Sequence, residues 1–290
     1  MAFTKRSDGV YVRDLAAFKR VFPYVMKTRT ESVVYFDQKI DVSETLSYLE
    51  SVNEGRPKEE RVTFFHLVLA ATVRILRMRP ELNRFVVGRR IYAHKEISAT
   101  FIVKKALTEE APEAEARLVF SGDESPRDVS SRIHAGVRNA RSGSRGSDDK
   151  LIDFVAALPR PLIRLVAWTI QALDFHNVLP RFMMGAIPLY TSVYITNVGS
   201  IGIEPPFHHL YEFGSASLFM AIGRIHKEAF VAEDDTIVAR PCVRLTFTLD
   251  ERISEGFYYA RSLILFQRLI EHPSLLDCGE IDIEDVIAQG

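Results

Sequence analysis

The chain has 290 residues, of which 47% are hydrophobic and 26% charged, a composition typical of a folded globular protein and not of a disordered one. Its 37 lysine and arginine residues and 38 aspartate and glutamate residues give a formal net charge of −1, which offers no electrostatic basis for binding nucleic acid. The two cysteines, Cys242 and Cys278, are too few for a disulfide framework, no apolar run is long enough to span a bilayer, and the N-terminal segment lacks the apolar core of a signal peptide. We therefore expect a cytoplasmic protein with two reduced thiols.

The first part of the chain predicts helices and strands in irregular alternation. A short amphipathic helix is expected over residues 14–26, and a strand rich in β-branched and aromatic residues over 32–42. A second helix follows Ser43. A strongly apolar third helix begins at Thr63 and ends at Arg79, because a proline comes next. Three further strand patterns follow, over residues 85–92, 98–105 and 116–120.

Residues 121–188 differ in composition from the rest of the chain. Ser125 is expected to cap a helix that runs to about Arg141, and a polar loop follows it. Residues 151–188 are apolar on most faces and are interrupted by three prolines, Pro159, Pro161 and Pro180. Because helices that are apolar nearly all round are buried, this segment predicts a core element or a subunit contact. Contact with a membrane surface is the alternative interpretation.

The final third predicts four strands and a closing helix. The strands are expected over residues 189–197, 216–224, 236–238 and 243–249, and the helix over 254–272. Strands and helices mix without a regular β-α-β cycle. This order predicts a single α/β domain in which helices cover a mixed sheet.

Few local motifs point to chemistry. The sequence contains no glycine-rich phosphate loop and no metal-binding spacing of histidine and cysteine. His208 and His209 are adjacent, and on a strand they would point to opposite faces, so no metal site is expected. Residues 196–202, TNVGSIG, predict a strand that ends in a turn whose glycines supply positive φ angles.

Five segments, taken in order, resemble the catalytic domain shared by chloramphenicol acetyltransferases and the acyltransferases of 2-oxoacid dehydrogenase complexes. KIDVSETLSYL resembles an early strand and helix start of that superfamily, and FHLVLAATVRILRMRPELNRF resembles its apolar helix. ITNVGSIGI is similar to its ISNLG turn, and ASLFMAIGRI to the strand after that turn. LTFTLDERISEGFYYAR resembles its terminal box, DHR-x-x-(D/N)-G. The resemblance implies an α/β two-layer sandwich of the CoA-dependent acyltransferase fold, with a mixed sheet and helices.

The resemblance also implies how such a protein works. It implies a homotrimer, or a higher assembly of trimers, with active sites at subunit interfaces. The substrates implied are an acyl-CoA or acyl-lipoyl thioester and an acceptor, with no permanently bound cofactor and no metal. The oxyanion-stabilising hydroxyl falls on Thr196. Substrate-binding positions fall on the turn residues Asn197, Gly199 and Ser200.

The terminal box departs from the family pattern at the position of the catalytic histidine. That position is Glu251, and the following Asp or Asn position is Glu255, so the box reads E-x-x-x-E-G. Asp250, Arg252, Glu255 and Gly256 are interpreted as its structural residues. Three residues stay open as the catalytic base: Glu251, His208 and His209. Burial can raise the pKa of a glutamate toward neutral pH, and the ordinary pKa of a histidine is already close to neutral pH.

The organisation expected is one acyltransferase-like domain over residues 1–290, with a helical insert at about 145–188 and no lipoyl or subunit-binding domain. The function expected is transfer of an acyl group between a CoA or lipoyl thioester and an acceptor. The alternative is an inactive relative that acts as an oligomeric scaffold or an acyl-CoA-binding protein.

Overall fold

A six-stranded mixed sheet forms the centre of the fold. The computed structural model describes residues 4–104, 113–142, 155–232, 234–279 and 281–288. The strand order is β2-β9-β8-β7-β5-β6, and all pairs are antiparallel except those of β7 with β5 and β8. The strands of this sheet are β2 (Val33–Asp41), β5 (Ile97–Lys104), β6 (Glu113–Phe120), β7 (Val193–Asn197), β8 (Leu218–Val231) and β9 (Ile237–Asp250).

Helices cover one face of this sheet. The helices of the described residues are α1 (Ala17–Val25), α2 (Ser43–Val52), α3 (Phe64–Met78), α4 (Pro126–Ser142), α5 (Arg160–Phe175), α6 (Arg181–Ala186), α7 (Gly256–Glu271) and α8 (Ile283–Ala288). Apolar side chains of α2, α3 and α7 form the main core with alternate residues of β7, β8 and β9. The predicted α/β two-layer architecture is therefore confirmed.

The apolar helix α3 is the best-defined element of the core. Its residues 66–76 are all buried, because the helix lies between the sheet and the neighbouring helices. Thr63 caps its first turn: the Oγ1 atom accepts a hydrogen bond from the backbone N–H of His66 at 3.4 Å, and His66 Nδ1 accepts the N–H of Thr63 at 3.2 Å. The predicted start at Thr63 and end at Arg79 are both confirmed.

A small second sheet replaces one predicted strand. It has the order β1-β4-β3, with β1 (Gly9–Tyr11), β3 (Arg84–Val87) and β4 (Arg90–His94). The single strand predicted over 85–92 is wrong, because the chain reverses at Gly88 and Arg89. Both residues have positive φ angles, 56° and 60°, which match the type I′ turn that joins tight hairpins.

The hairpin of β8 and β9 is longer than the sequence predicts. The strands expected over 236–238 and 243–249 are one strand, because residues 239–242 continue the pairing with β8. β8 likewise extends past Arg224 to Val231. A bulge between Ile222 and Ile225 interrupts the register.

Within the described residues, helix α5 packs one of its faces against the rest of the chain and leaves the other exposed. Pro161 lies in the first turn of α5 and does not break it, since the first turn tolerates proline. Ile170 and Leu173 pack inward, whereas Leu165 is 56% and Trp168 64% exposed. Burial of this outer face in the chain's own core is therefore wrong, and burial against a partner stays a prediction. In the described part of the chain, none of the helices combines the length and the apolar character needed to cross a membrane.

Burial of His66 makes the stability of the fold depend on pH. Burial, with a smaller contribution from the neighbouring His134, lowers the pKa of His66 to about 4. As pH falls below the unfolded value near 6.5, the unfolded chain binds a proton first. We therefore expect His66 to reduce the free energy of unfolding by about 3 kcal/mol between pH 6.5 and 4, with no further loss below. Denaturant unfolding across this range measures the effect.

His66→Gln, which keeps a hydrogen-bond acceptor, should remove that part of the pH dependence. His176→Gln at an exposed position is the control and should retain it. An unchanged slope of stability against pH in His66→Gln would show that His66 does not titrate in this way.

Candidate functional site

A buried ion pair organises the terminal box at the end of β9. Asp250 is fully buried, and its Oδ1 accepts hydrogen bonds from Ser32 Oγ at 3.0 Å and from Arg252 Nε at 2.8 Å. Its Oδ2 accepts a bond from Arg252 Nη2 at 2.7 Å. The Tyr259 hydroxyl donates to the backbone oxygen of Asp250 at 2.7 Å, which fixes α7 to the same point. The box is thus a rigid corner between β2, β9 and α7.

Two glutamates of the terminal box, Glu251 and Glu255, are accessible to solvent. Glu251 is partly exposed, and its backbone N–H donates to the Ser32 oxygen at 2.9 Å. Glu255 is exposed and occupies the N-cap of α7 without a side-chain capping bond. Gly256 follows it, and no atom lies within 4 Å of the position that a Cβ would take. The geometry at Gly256 therefore does not itself require glycine.

Arg29, which the sequence analysis did not identify, fastens the loop at 211–214 beside this corner. Its buried guanidinium donates to the backbone oxygens of Tyr211 and Glu212, both at 3.0 Å, and of Gly214 at 2.7 Å. The Glu212 carboxylate accepts the backbone N–H of Arg29 in return, at 3.1 Å. Burial lowers the pKa of Arg29, and the carboxylates of Asp250 and Glu212 oppose that shift. Sequence reasoning misses Arg29 because its partners are backbone atoms distant along the chain.

A cleft of about 590 Å³ opens next to the terminal box. Arg29, Arg252, Gly88 of the β3–β4 hairpin and Phe175 of helix α5 are among the residues that line it. Helix α5 therefore contributes to the space beside the terminal box. The size of the cleft is within the range of small-molecule sites.

The turn after β7 packs backbone against backbone. Thr196 and Asn197 end the strand and are half-buried, and the Ser200 hydroxyl donates to the Asn197 oxygen at 2.7 Å. A Cβ at Gly199 would lie 2.2 Å from the backbone oxygen of Gly223 on β8. Gly202 alone of the two turn glycines has a positive φ, 83°. The prediction that both supply positive φ is wrong for Gly199, where close approach requires glycine.

Residues 203–211 cross the sheet on the face opposite the helices. The Thr246 and Thr248 hydroxyls donate to the backbone oxygens of Pro206 and His208, at 2.7 and 2.5 Å. The His208 ring stacks on Phe219 with a centroid distance of 4.0 Å. The exposed His209 ring stacks on His208 at 4.6 Å. The two histidines are not on a strand, so the expectation of opposite faces does not apply.

Hydrogen bonding fixes the protonation pattern of His208. Its Nδ1 lies 2.7 Å from the backbone oxygen of His209, which only accepts, so Nδ1 carries the hydrogen. In the neutral ring this leaves Nε2 able to accept a proton. Burial is the main factor that lowers the pKa of His208 below the ordinary histidine value. His208 is therefore suited to act as a base at neutral pH.

The strand register separates the Thr196 turn from the terminal box. Thr196 pairs with Ala221, which pairs with Thr246, and Asp250 lies four residues further along β9. Four residues of strand and two strand spacings place Thr196 and Asp250 about 17 Å apart. Phe219, under the His208 ring, is two residues from Ala221, or about 7 Å along β8. Phe219 pairs with Tyr194 on one side and Thr248 on the other, so within one chain His208 lies about midway between Thr196 and Asp250. Thr196 is therefore closer to His208 than to Glu251.

Comparison with known proteins agrees with the resemblance in sequence. Residues 191–277 match the family model of the 2-oxoacid dehydrogenases acyltransferase (catalytic domain). This range contains both the Thr196 turn and the terminal box. A search of curated proteins by sequence gave no match.

Three solved structures show the fold of this chain at 11–14% sequence identity. A probable dihydrolipoamide acetyltransferase from Listeria monocytogenes has a TM-score of 0.58 at 14% identity, with 90% of this chain and 94% of that chain covered. The cubic core of a pyruvate dehydrogenase multienzyme complex has 0.60 at 11% identity, covering 93% and 95%. Dihydrolipoamide acetyltransferase from Azotobacter vinelandii, in which the catalytic roles of a serine, a histidine and an asparagine were investigated, has 0.59 at 13%, covering 93% and 95%. The predicted fold and superfamily resemblance are confirmed.

Removing Arg252 should destabilise the fold strongly, because it leaves the Asp250 carboxylate buried without its cation. We expect Arg252→Met to lower the free energy of unfolding by about 3–5 kcal/mol, as measured by denaturant titration. Arg240→Met, which breaks the exposed pair with Asp41 at 3.0 Å, is the control and should cost less than about 1 kcal/mol. Equal losses in the two variants would contradict the organising role of the buried pair.

Proposed function

From the match of residues 191–277 to the acyltransferase catalytic domain, we propose that this chain is an acyltransferase that moves an acyl group between a CoA or lipoyl thioester and an acceptor. The observation that carries the proposal is that the Thr196 turn and the His208 ring lie on the same face of the sheet. At the level of the family, the match favours acyl transfer over the scaffold alternative.

Thr196 is proposed to stabilise the oxyanion. Attack on a thioester places negative charge on the carbonyl oxygen, and a hydroxyl that donates to that oxygen lowers the barrier by several kcal/mol. Thr196 is half-buried at the end of β7, and Gly199 holds the following turn directly against β8. A rigid turn supports the proposed role, because the donor must be in place before the charge develops.

His208 is proposed as the base that deprotonates the attacking thiol or hydroxyl. Its Nδ1 hydrogen is engaged by the His209 oxygen, so Nε2 is left to accept the proton. The ring is held between Phe219 and His209, which limits its rotation. Glu251 occupies the family's histidine position but lies at the far end of the sheet from Thr196, so it would reach Thr196 only from a neighbouring protomer.

The chain is also proposed to assemble as a trimer or a larger oligomer. One similar structure is the cubic core of a multienzyme complex, which is itself an assembly. The outer face of the insert exposes six large apolar side chains that a second copy of this chain would cover: Leu162, Leu165, Trp168, Phe175, Val178 and Phe182. Such a face on an isolated chain is typical of an interaction surface.

Replacing the base should change both the rate and its pH profile. We expect His208→Gln to lower kcat by about 10²–10⁴-fold in a thioester transfer assay, whereas Glu251→Gln changes it by less than about tenfold. In the unchanged chain the acid limb of kcat/KM should have its midpoint below the ordinary histidine value of ~6.5, because burial lowers the pKa of His208. That limb should be absent in His208→Gln. A large loss in Glu251→Gln with a normal His208→Gln would assign the base to Glu251 instead.

Charges on the insert should separate the oligomer. We expect the double variant Leu165→Glu with Trp168→Glu to sediment as a monomer at micromolar concentration, because two carboxylates would have to be buried in the interface. Ser131→Glu, at an exposed site on α4, adds the same kind of charge elsewhere and should leave the assembly intact. A monomeric unchanged chain would refute the proposed assembly, and retained assembly of the double variant would place the interface elsewhere.

A further inference from the structure

We propose that His226, Glu228 and Cys242 form a binding site for a divalent transition-metal ion of the zinc class. The three residues lie on the extended half of the β8–β9 hairpin. Neither the acyl-transfer proposal nor the sequence analysis uses them, and the sequence predicted no metal site. Their spacing gave no signal, because thirteen residues lie between Glu228 and Cys242 in the sequence.

The hairpin brings the three side chains to one face of the sheet. His226 pairs directly with Cys242 across the two strands, and Glu228 follows His226 by two residues, which returns it to the same face. One ligand atom from each residue lies within 4.8 Å of the other two. Tetrahedral Zn²⁺ needs ligand atoms roughly 3.3–3.6 Å apart, which follows from bond lengths of about 2.0–2.3 Å. Small side-chain rotations are sufficient to reach that spacing.

The hydrogen bonds of His226 prepare its Nε2 atom to bind a cation. Its Nδ1 lies 3.3 Å from the backbone oxygen of Arg224, so Nδ1 carries a hydrogen. Nε2 lies 2.9 Å from Glu228 Oε1. A cation placed between these two atoms would have both the imidazole nitrogen and the carboxylate oxygen as ligands. A backbone carbonyl that fixes the opposite nitrogen is the usual outer contact of a metal-binding histidine.

The charges around the cluster balance a divalent ion. Cys242 is fully buried, and burial together with the nearby Glu228 raises the pKa of its thiol to about 11. On binding, the metal–sulfur bond forms as the thiol proton leaves to solvent, so thiolate and carboxylate together neutralise the two positive charges. Lys39 Nζ pairs with Glu228 Oε2 at 2.8 Å and leaves Oε1 for the metal.

The ligand set selects the metal. A thiolate and an imidazole favour zinc-like ions over Ca²⁺ and Mg²⁺, which prefer oxygen ligands. Three protein ligands leave a fourth position for solvent. Cys242 lies eight residues before Asp250 on β9, about 27 Å from the terminal box. Metal binding and acyl transfer can therefore succeed or fail independently.

The test is titration of the whole chain, kept reduced by a non-chelating phosphine, with Co²⁺ as the spectroscopic substitute for Zn²⁺. We expect the sulfur-to-cobalt charge-transfer band and the intense visible bands of tetrahedral cobalt, at one ion per chain. Cys242→Ser should lose the charge-transfer band. Cys278→Ser, at an exposed thiol, is the matched control and should keep it.

A second variant guards against a folding defect at the buried cysteine. His226→Gln changes a half-exposed side chain, and it should raise the Kd for Zn²⁺ at least about 100-fold while the far-ultraviolet circular dichroism stays unchanged. Added Zn²⁺ should raise the thermal midpoint of the unchanged chain and not that of His226→Gln. Absence of the cobalt bands in the unchanged chain, or their survival in Cys242→Ser, would overturn the proposal.

Discussion

The buried Asp250–Arg252 pair is the constraint on which the geometry of the terminal box depends. A carboxylate without solvent must be paired and hydrogen-bonded, and here Ser32 and both ends of the Arg252 guanidinium satisfy it. The same arginine donates to the backbone oxygen of Met26 at 3.2 Å, so α1 is tied to the corner as well. The buried ion pair therefore connects four elements, β2, β9, α1 and α7. The position of these elements determines the shape of the cleft beside the pair.

The register of the sheet then decides which residues can cooperate. Strands are extended and stiff, so the four residues between the level of Thr196 and Asp250 on β9 span about 13 Å. Side-chain rotation cannot bridge that distance. Thr196 consequently shares its surroundings with residues 203–211 and not with the terminal box of its own chain. Two features fix the position of the Thr196 turn along β8. They are the bulge between Ile222 and Ile225 and the close backbone contact between Gly199 and Gly223.

Local sequence patterns predicted the elements whose residue types are distinctive over a short stretch. The apolar run after Thr63 predicted a helix close to the observed α3, and the β-branched and aromatic residues of 32–42 predicted a strand close to β2. The hairpin at Gly88 was missed because the two apolar stretches beside it, residues 85–87 and 91–92, are short and only Gly88 and two arginines separate them. Motif resemblance found the Thr196 turn and the terminal box, but neither their separation nor Arg29 could be predicted, since both depend on pairing between residues far apart in the chain. Which residue acts as the base is likewise a matter of side-chain placement, which spacing does not encode.

The most direct measurement of the central claim is acyl transfer itself, followed by release of the free CoA thiol from a panel of acyl-CoA thioesters with dihydrolipoamide as acceptor. Acyl transfer by the proposed route requires turnover by the unchanged chain, a loss of about 10²–10³-fold in kcat for Thr196→Ala, and substantial recovery in Thr196→Ser, which restores the hydroxyl. Equal turnover by all three chains, or no turnover of any thioester, would contradict it.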